Sequence, residues 1–307
     1  MSTGGSVDGA AGAALININV DLKHASKAVI KLIDATSRGL GLLYEPTHVR
    51  RIAAAYKDAS ERLDGEPAAR SLYERSVSRF LGQEIRSQQN IEGISAKAVD
   101  LMPSEVTEEP VDEDWVASFF GMCRTIRDED MQTLWARILA GEVASPGTFS
   151  LRTLSTVKTL SKDEAEAFTL YCRYVCKDSN GRGRRIQNDK ADKYLYEKVN
   201  LHGGYAAHFA DIGLVSAGTS TLPTDDDTRM TEAHLVYFDR SVQLVKDQSA
   251  YPIPYLFGTE PLTAIGNELH SISGARPDYE YFDILVAALN EEGFVEKERE
   301  ANRAAGN

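Results

Sequence analysis

The chain is poor in the residues that staple, span or coat. It has 3 cysteines in 307 residues, a small and odd number that argues against a disulfide framework and for a reducing cytoplasm. No stretch approaches the ~18 uninterrupted apolar residues of a transmembrane helix. The opening Met1-Ser-Thr-Gly-Gly-Ser6 has neither the basic region nor the apolar run of a secretion signal. Positive charge is in the minority too, with 34 Lys+Arg against 46 Asp+Glu and a net charge of -12. Coating nucleic acid requires a basic face, so that balance argues against such a role while leaving room for local basic patches. Also missing are a phosphate-cradling Gly-Lys-Ser/Thr loop, a Gly-x-Gly-x-x-Gly turn, a His-Glu-x-x-His helix and a Gly-x-Ser-x-Gly elbow. What is present is ordinary globular material, 42% hydrophobic and 26% charged, long enough to bury a sizeable core without a metal or disulfide.

Patterning divides the chain into six parts. Residues 1–20 read as a flexible tail rich in Gly, Ala, Ser and Thr, with a short alternating stretch, Leu15 to Asp21, at its end. Residues 21–102 read as a helical, amphipathic region, interrupted at Gly39 to Pro46. In it Thr47 caps a helix from His48 to Leu63, and a long helix runs from Ala68 to Met102. Residues 103–111 form an acidic linker carrying Glu105, Glu108 and Glu109. Residues 112–177 are a central helical core. Asp112-Glu-Asp114 and Asp128-Glu-Asp130 open helices where the macrodipole favours negative charge, Gly141 reads as a stop, and Ser161-Lys-Asp-Glu164 matches a capping box. Residues 178–275 read as a winged-helix-like α+β region with helices from Asp189 to Asn200 and Tyr205 to Val215. Its strand candidates are at Leu235 to Phe238, Val242 to Val245 and Tyr251 to Phe257. Residues 276–307 supply a helix from Tyr279 to Glu291 and a charged tail. The fold class is therefore mainly α with a smaller α+β part: helical N-terminal and central regions followed by a winged-helix-like module.

Residues with chemical potential are scattered. Cys172 and Cys176 share a helix face and could hold zinc with Cys123 or His202, but buried small hydrophobes explain them more simply. His202 and His208 flank a Gly-Gly turn with no acid at ligand spacing. Asp225-Asp-Asp227 lacks the spacing of a calcium loop. Between Lys177 and Arg185 lies the most basic short run, with Arg182, Arg184 and Arg185 opposed only by Asp178. It reads as an exposed loop that can meet phosphates or a partner. The segment from Leu22 to Tyr44 places Lys27 and Lys31 among apolar positions ahead of Leu40, Leu42 and Leu43. That pattern suits a membrane or assembly surface, or packing against the chain's own helices. No catalytic residue, cofactor or metal follows from these patterns.

The order Asp114-Trp115, Phe119-Phe120, Cys123-Arg124, Met131-Gln132, Leu134-Trp-Ala-Arg-Ile-Leu-Ala-Gly-Glu142, Pro146-Gly-Thr-Phe-Ser150 and Arg152-Thr-Leu154 resembles a bacterial family catalogued only as domain of unknown function 2806. It is similar also to the alpha-type abortive-infection proteins of phage defence, which share the Trp-Ala-Arg, Gly-Glu and Pro-Gly-Ser/Thr-Phe-Ser elements. The resemblance extends to Tyr44-Glu-Pro46 and to Leu262-Thr-Ala-Ile-Gly-Asn-Glu-Leu269. It transfers no catalytic residues. Within the shared core, Arg137, Glu142 and Arg152 are expected to form a polar network tying the Pro146-Gly147 turn to two helices, or a polar site for a small ligand. The resemblance implies a non-enzymatic defence protein of the cytoplasm, peripheral at the inner membrane if the N-terminal region binds lipid. Its partners would be itself or other protein subunits. A nucleic-acid-binding regulator is the alternative, disfavoured by the acidic charge, and a hydrolase or nuclease with an unrecognised site is a further one.

Overall fold

A computed structural model describes residues 25–43, 54, 57–58, 67–217, 220–221, 230–247 and 258–296. The expected Leu15 to Asp21 strand, the Asp225 to Asp227 cluster and the Tyr251 to Phe257 strand lie outside these residues, as does most of the His48 to Leu63 helix. The chain forms two compact units, Met1–Thr159 and Leu160–Asn307. The first is helical and the second combines helices with an antiparallel sheet.

The described helices of the first unit are α1 (Lys27–Leu43), α2 (Pro67–Leu101), α3 (Glu113–Cys123), α4 (Glu129–Ala144) and α5 (Leu151–Thr159). Helix α1 buries Ala28, Leu32, Ala35 and Leu40, residues at helical spacing, and packs on α3. Gly39 does not interrupt it. A Cβ at that position would lie 2.2 Å from Val116 Cγ1, so the glycine is the point where α1 and α3 approach most closely. Asp112 caps α3 by accepting from Trp115 N (2.8 Å), and Asp128 caps α4 through Asp130 N and Met131 N. Gly141 is not a stop either. Helix α4 continues to Ala144, and the Phe149 ring occupies the space a Cβ would take, 2.7 Å away. The core is aromatic, with Phe119 between Trp115 (centroids 5.3 Å) and Trp135 (5.2 Å). The acidic linker is pinned at Thr107, whose N–H donates to Ala144 O, while Glu105, Glu108 and Glu109 remain exposed.

The second unit opens with α6 (Lys162–Cys172), whose Ser161–Glu164 capping box is formed in both directions. It continues with β1 (Cys176–Lys177), β2 (Gly183–Ile186), α7 (Asp189–Val199), α8 (Gly203–Asp211) and β3 (Ser220–Thr221). Then come β4 (Met230–Tyr237), β5 (Arg240–Asp247), β6 (Gly258–Pro261), α9 (Ala264–Ile272), α10 (Tyr279–Glu291) and β7 (Val295–Glu296). The sheet order is β3-β6-β2-β1-β4-β5-β7, every pairing antiparallel. The expected basic loop is thus largely strand: β1 and β2 form a hairpin around Asn180-Gly181, with Cys176 opposite Arg184. Tyr237 ties the sheet to the helices. Its ring stacks on Phe282 at 4.9 Å, its hydroxyl donates to Arg173 O (2.7 Å) and it accepts from Asp278 N (2.8 Å). The architecture is mainly α with a smaller α+β part, and among the described residues no helix is long and apolar enough to cross a membrane.

Candidate functional site

The shared core folds into a clasp around the turn that follows α4. Glu142 is buried, and its two carboxylate oxygens accept from Gly147 N (2.7 Å) and Phe149 N (2.8 Å). Trp115 reaches the same turn from α3, its Nε1–H donating to Phe149 O at 2.6 Å. A buried carboxylate is stable only when its charge meets donors, and the turn supplies two backbone N–H groups at charge-assisted distances. Arg137 is half-buried on α4 and Arg152 is exposed on α5. Carboxylate-to-backbone bonds and an indole are among the contacts that hold the turn.

The expected basic loop is rearranged most. Arg184 and Arg185 are buried in β2, and alternation along the strand sends them to opposite faces. Arg185 makes a two-pronged contact with its cross-strand neighbour Glu260, Nε to Oε2 and Nη2 to Oε1 both at 2.7 Å, and it also pairs with Asp192. Tyr171 OH (2.8 Å) and Gln187 Nε2 (3.2 Å) donate to the same carboxylate. Burial works to raise the Glu260 pKa, but the Arg185 guanidinium outweighs it and holds the carboxyl below its ordinary range. Arg184 pairs with the buried Asp178 at 2.5 Å and donates to Thr259 Oγ1. Neither arginine is available to a phosphate, because a carboxylate already occupies each. Only Arg182 of the three is exposed.

The proposed membrane surface is also altered. Leu40 is 1% exposed and faces the unit's own core, while the side chains of Leu42 and Leu43 lie outside the described residues. Lys27 and Lys31 are turned toward the acidic linker: Lys27 Nζ lies 4.0 Å from Glu108, and Lys31 Nζ donates to Thr107 O at 2.9 Å.

The three cysteines are free and buried. Burial pushes every thiol up, that of Cys176 to about 12, so none is a ready thiolate. Among the described residues no three His, Cys, Asp or Glu side chains are grouped to hold a metal. His202 caps α8 by accepting from Gly204 N, and His208 meets Glu164 at 3.0 Å.

Two of the clefts among the described residues, both missed by sequence reading, carry titratable side chains at their walls. In the second unit a cavity of about 310 Å³ is lined by Lys177, Phe238, His270, Ser271 and Ser273 among others. Burial lowers the His270 pKa from 6.5 to about 4, and the Lys177 charge works in the same direction. A folded-state pKa below the unfolded one means that acid favours unfolding. The contribution is complete above pH 6.5 and lost progressively as pH falls toward 4. His270→Gln should flatten that part of the Tm-versus-pH curve; an unchanged slope would show that His270 is not held neutral.

The other cleft is in the first unit, about 330 Å³, between α2 and the loop joining α3 to α4. Gln83, Glu84, Arg86, Ser87, Asn90, Arg124, Thr125 and Arg127 line it. No local motif marks it, because Arg86 is far in sequence from Arg124 and Arg127, and these two sit beside Asp128-Glu-Asp130.

Residues 74–286 match a family described as a protein of unknown function (DUF2806). The chain belongs to that family. The match takes in the clasp, both clefts and the buried Arg185–Glu260 pair, so the family's region spans parts of both units. No curated protein and no solved structure matches the chain.

Proposed function

We propose that this member of the family is a non-enzymatic interaction or effector protein of bacterial anti-phage defence. It would work in the cytoplasm through contacts with copies of itself or with other protein subunits. The likeness of the Trp115 to Leu154 core to alpha-type abortive-infection proteins supports the defence setting. One observation carries the interaction reading. Along residues 71–86 of α2 no side chain is buried, and Leu72, Leu81 and Ile85 are 60%, 53% and 60% exposed. Large apolar side chains held in water along a helix are characteristic of a surface that is covered in an assembly. Meanwhile Glu142, the core's buried carboxylate, spends both oxygens on backbone N–H groups of the turn, the work of a structural residue.

The membrane version has less to rest on, since Leu40 is buried and Lys31 is tied to Thr107. The nucleic-acid reading has one observation in its favour. The order β3-β6-β2, with α7 and α8 between β2 and β3, supports a winged-helix-like reading of this region. Against DNA contact, α8 has no Lys or Arg, and Arg184 and Arg185 are neutralised. A winged-helix-like module with such a helix suits protein contacts better.

Challenge of cells with and without the gene by a broad phage panel tests the proposal. Reduced plaquing in cells that carry the gene is the expected outcome; equal plaquing on both across the panel would overturn it.

A further inference from the structure

The cleft of the first unit combines three features that its neighbours do not share. The first is unbalanced charge. Arg86, Arg124 and Arg127 line it, and among the described residues none of the three guanidinium groups has a hydrogen-bond or ion-pair partner. Glu84 is the one carboxylate in the lining. In a chain of net charge -12, several other surface cations are paired with acids, as Arg38 is with Asp34, Lys97 with Glu129 and Arg240 with Asp283. Here three converge on a concavity lined by a single carboxylate.

The second feature is a rigid mount. The loop carrying Arg124 and Arg127 is fastened from three helices. Asn90 Nδ2 on α2 donates to Arg124 O (2.8 Å), Gln132 Nε2 on α4 donates to Ile126 O (3.0 Å), and Lys158 on α5 donates to Met122 O (2.9 Å) and to Thr125 Oγ1. Arg86 lies one helical turn before Asn90, so it rises from the same face of α2. Burial lowers the Lys158 ammonium, and neighbouring Arg124 adds to the effect, which places a fourth cation against the underside of the loop. Holding like charges together on a fixed scaffold costs free energy unless an anion is bound between them.

The third feature is the character of the walls. Besides the arginines, Gln83, Ser87, Asn90 and Thr125 offer hydrogen-bonding groups, and no aromatic ring lines the cleft. Guanidinium forks match the oxygens of phosphate in pairs. A volume of about 330 Å³ is at the small end for ligand cavities. Without a stacking platform, a single-stranded nucleic acid loses the contacts that normally hold its bases.

We infer that the cleft is a binding site for the phosphate groups of a small phosphorylated molecule, gripped by Arg86, Arg124 and Arg127 and oriented by Ser87, Asn90 and Thr125. The inference does not depend on the defence reading, because binding can be measured on the purified protein whatever a phage challenge returns.

Calorimetric titration of the full chain at low salt, with inorganic pyrophosphate in one arm and a short single-stranded RNA in the other, tests it. Pyrophosphate should bind. Arg86→Gln should weaken binding about tenfold, and Arg124→Gln with Arg127→Gln should remove it. Arg124→Lys, which keeps charge and loses the fork, should fall between. The Tm without pyrophosphate should hold or rise in every variant, because among the described residues the replaced guanidinium groups hold no partner and removing like charge relieves repulsion, and added pyrophosphate should raise it only where the cleft is intact. Three results would overturn the inference: no pyrophosphate binding, binding that the double variant retains, or binding of RNA alone, which would make the cleft part of a nucleic-acid surface.

Discussion

Glu260→Ala should cost about 3–5 kcal/mol, the largest loss expected of a single substitution in this chain. Glu260 and Arg185 are opposite each other on β6 and β2, both less than a tenth exposed, and joined by two bonds of 2.7 Å. Removing the carboxylate leaves a guanidinium in the sheet with only Asp192, itself half in water, to balance it. It also strips the acceptor from the Tyr171 hydroxyl and from Gln187. The pair is not inherently strengthening, since taking two charges out of water costs nearly as much as their attraction returns. Replacing both, as in Arg185→Met with Glu260→Leu, should therefore recover part of the loss. Urea denaturation of the three proteins reads this directly. A Glu260→Ala loss below ~1 kcal/mol would mean that water reaches the pair and that Arg185 is not buried in solution.

Glu142→Ala should cost about 2–4 kcal/mol, through the opposite kind of partner. Its two oxygens satisfy the N–H groups of Gly147 and Phe149, and alanine leaves the buried Phe149 N–H without this acceptor and the Gly147 N–H to water. Phe149 would lose its backbone anchor on one side while Trp115 Nε1 still holds its carbonyl on the other. The ring that packs on Gly141 would then be free to move, so near-ultraviolet circular dichroism should weaken along with the Tm. Glu142→Gln keeps one acceptor but presents an NH2 to the second donor, and should recover only part of the loss. Retention of full stability by the alanine variant would show that the turn is held by other contacts.

The fold was legible where the determining chemistry is local. Asp112, Asp128 and Ser161 each sit next to the N–H groups that they cap, and the helices they start were readable from a few residues. It was illegible where a distant residue decides. Gly39 and Gly141 look like helix stops, yet each is small because a side chain from elsewhere, Val116 or Phe149, occupies the space. Arg184 and Arg185 look like an exposed basic run because their local opposition is a single Asp178. The acid that neutralises Arg185 is on a strand 75 residues later. Arg124 and Arg127 stand just before the acidic run Asp128-Glu-Asp130. Asp128 accepts from the N–H groups of α4, and the two arginines line a cleft with Arg86. Charge balance along the chain is a poor guide to charge balance in space when capping and cross-strand pairing consume the acids.

On the proposed reading the family core is structural and function lies at surfaces: the exposed stretch of α2 for protein contacts and the arginine cleft for a phosphorylated ligand. The most direct measurement is phage plaquing on cells carrying two sets of variants, each paired with the Tm of the purified protein. Leu72→Asp, Leu81→Asp and Ile85→Asp together should abolish protection at unchanged Tm, whereas Glu142→Gln should reduce protection only as far as it lowers Tm. Full protection by the triple variant, or loss of protection by Glu142→Gln at unchanged Tm, would contradict the account and return function to the core itself.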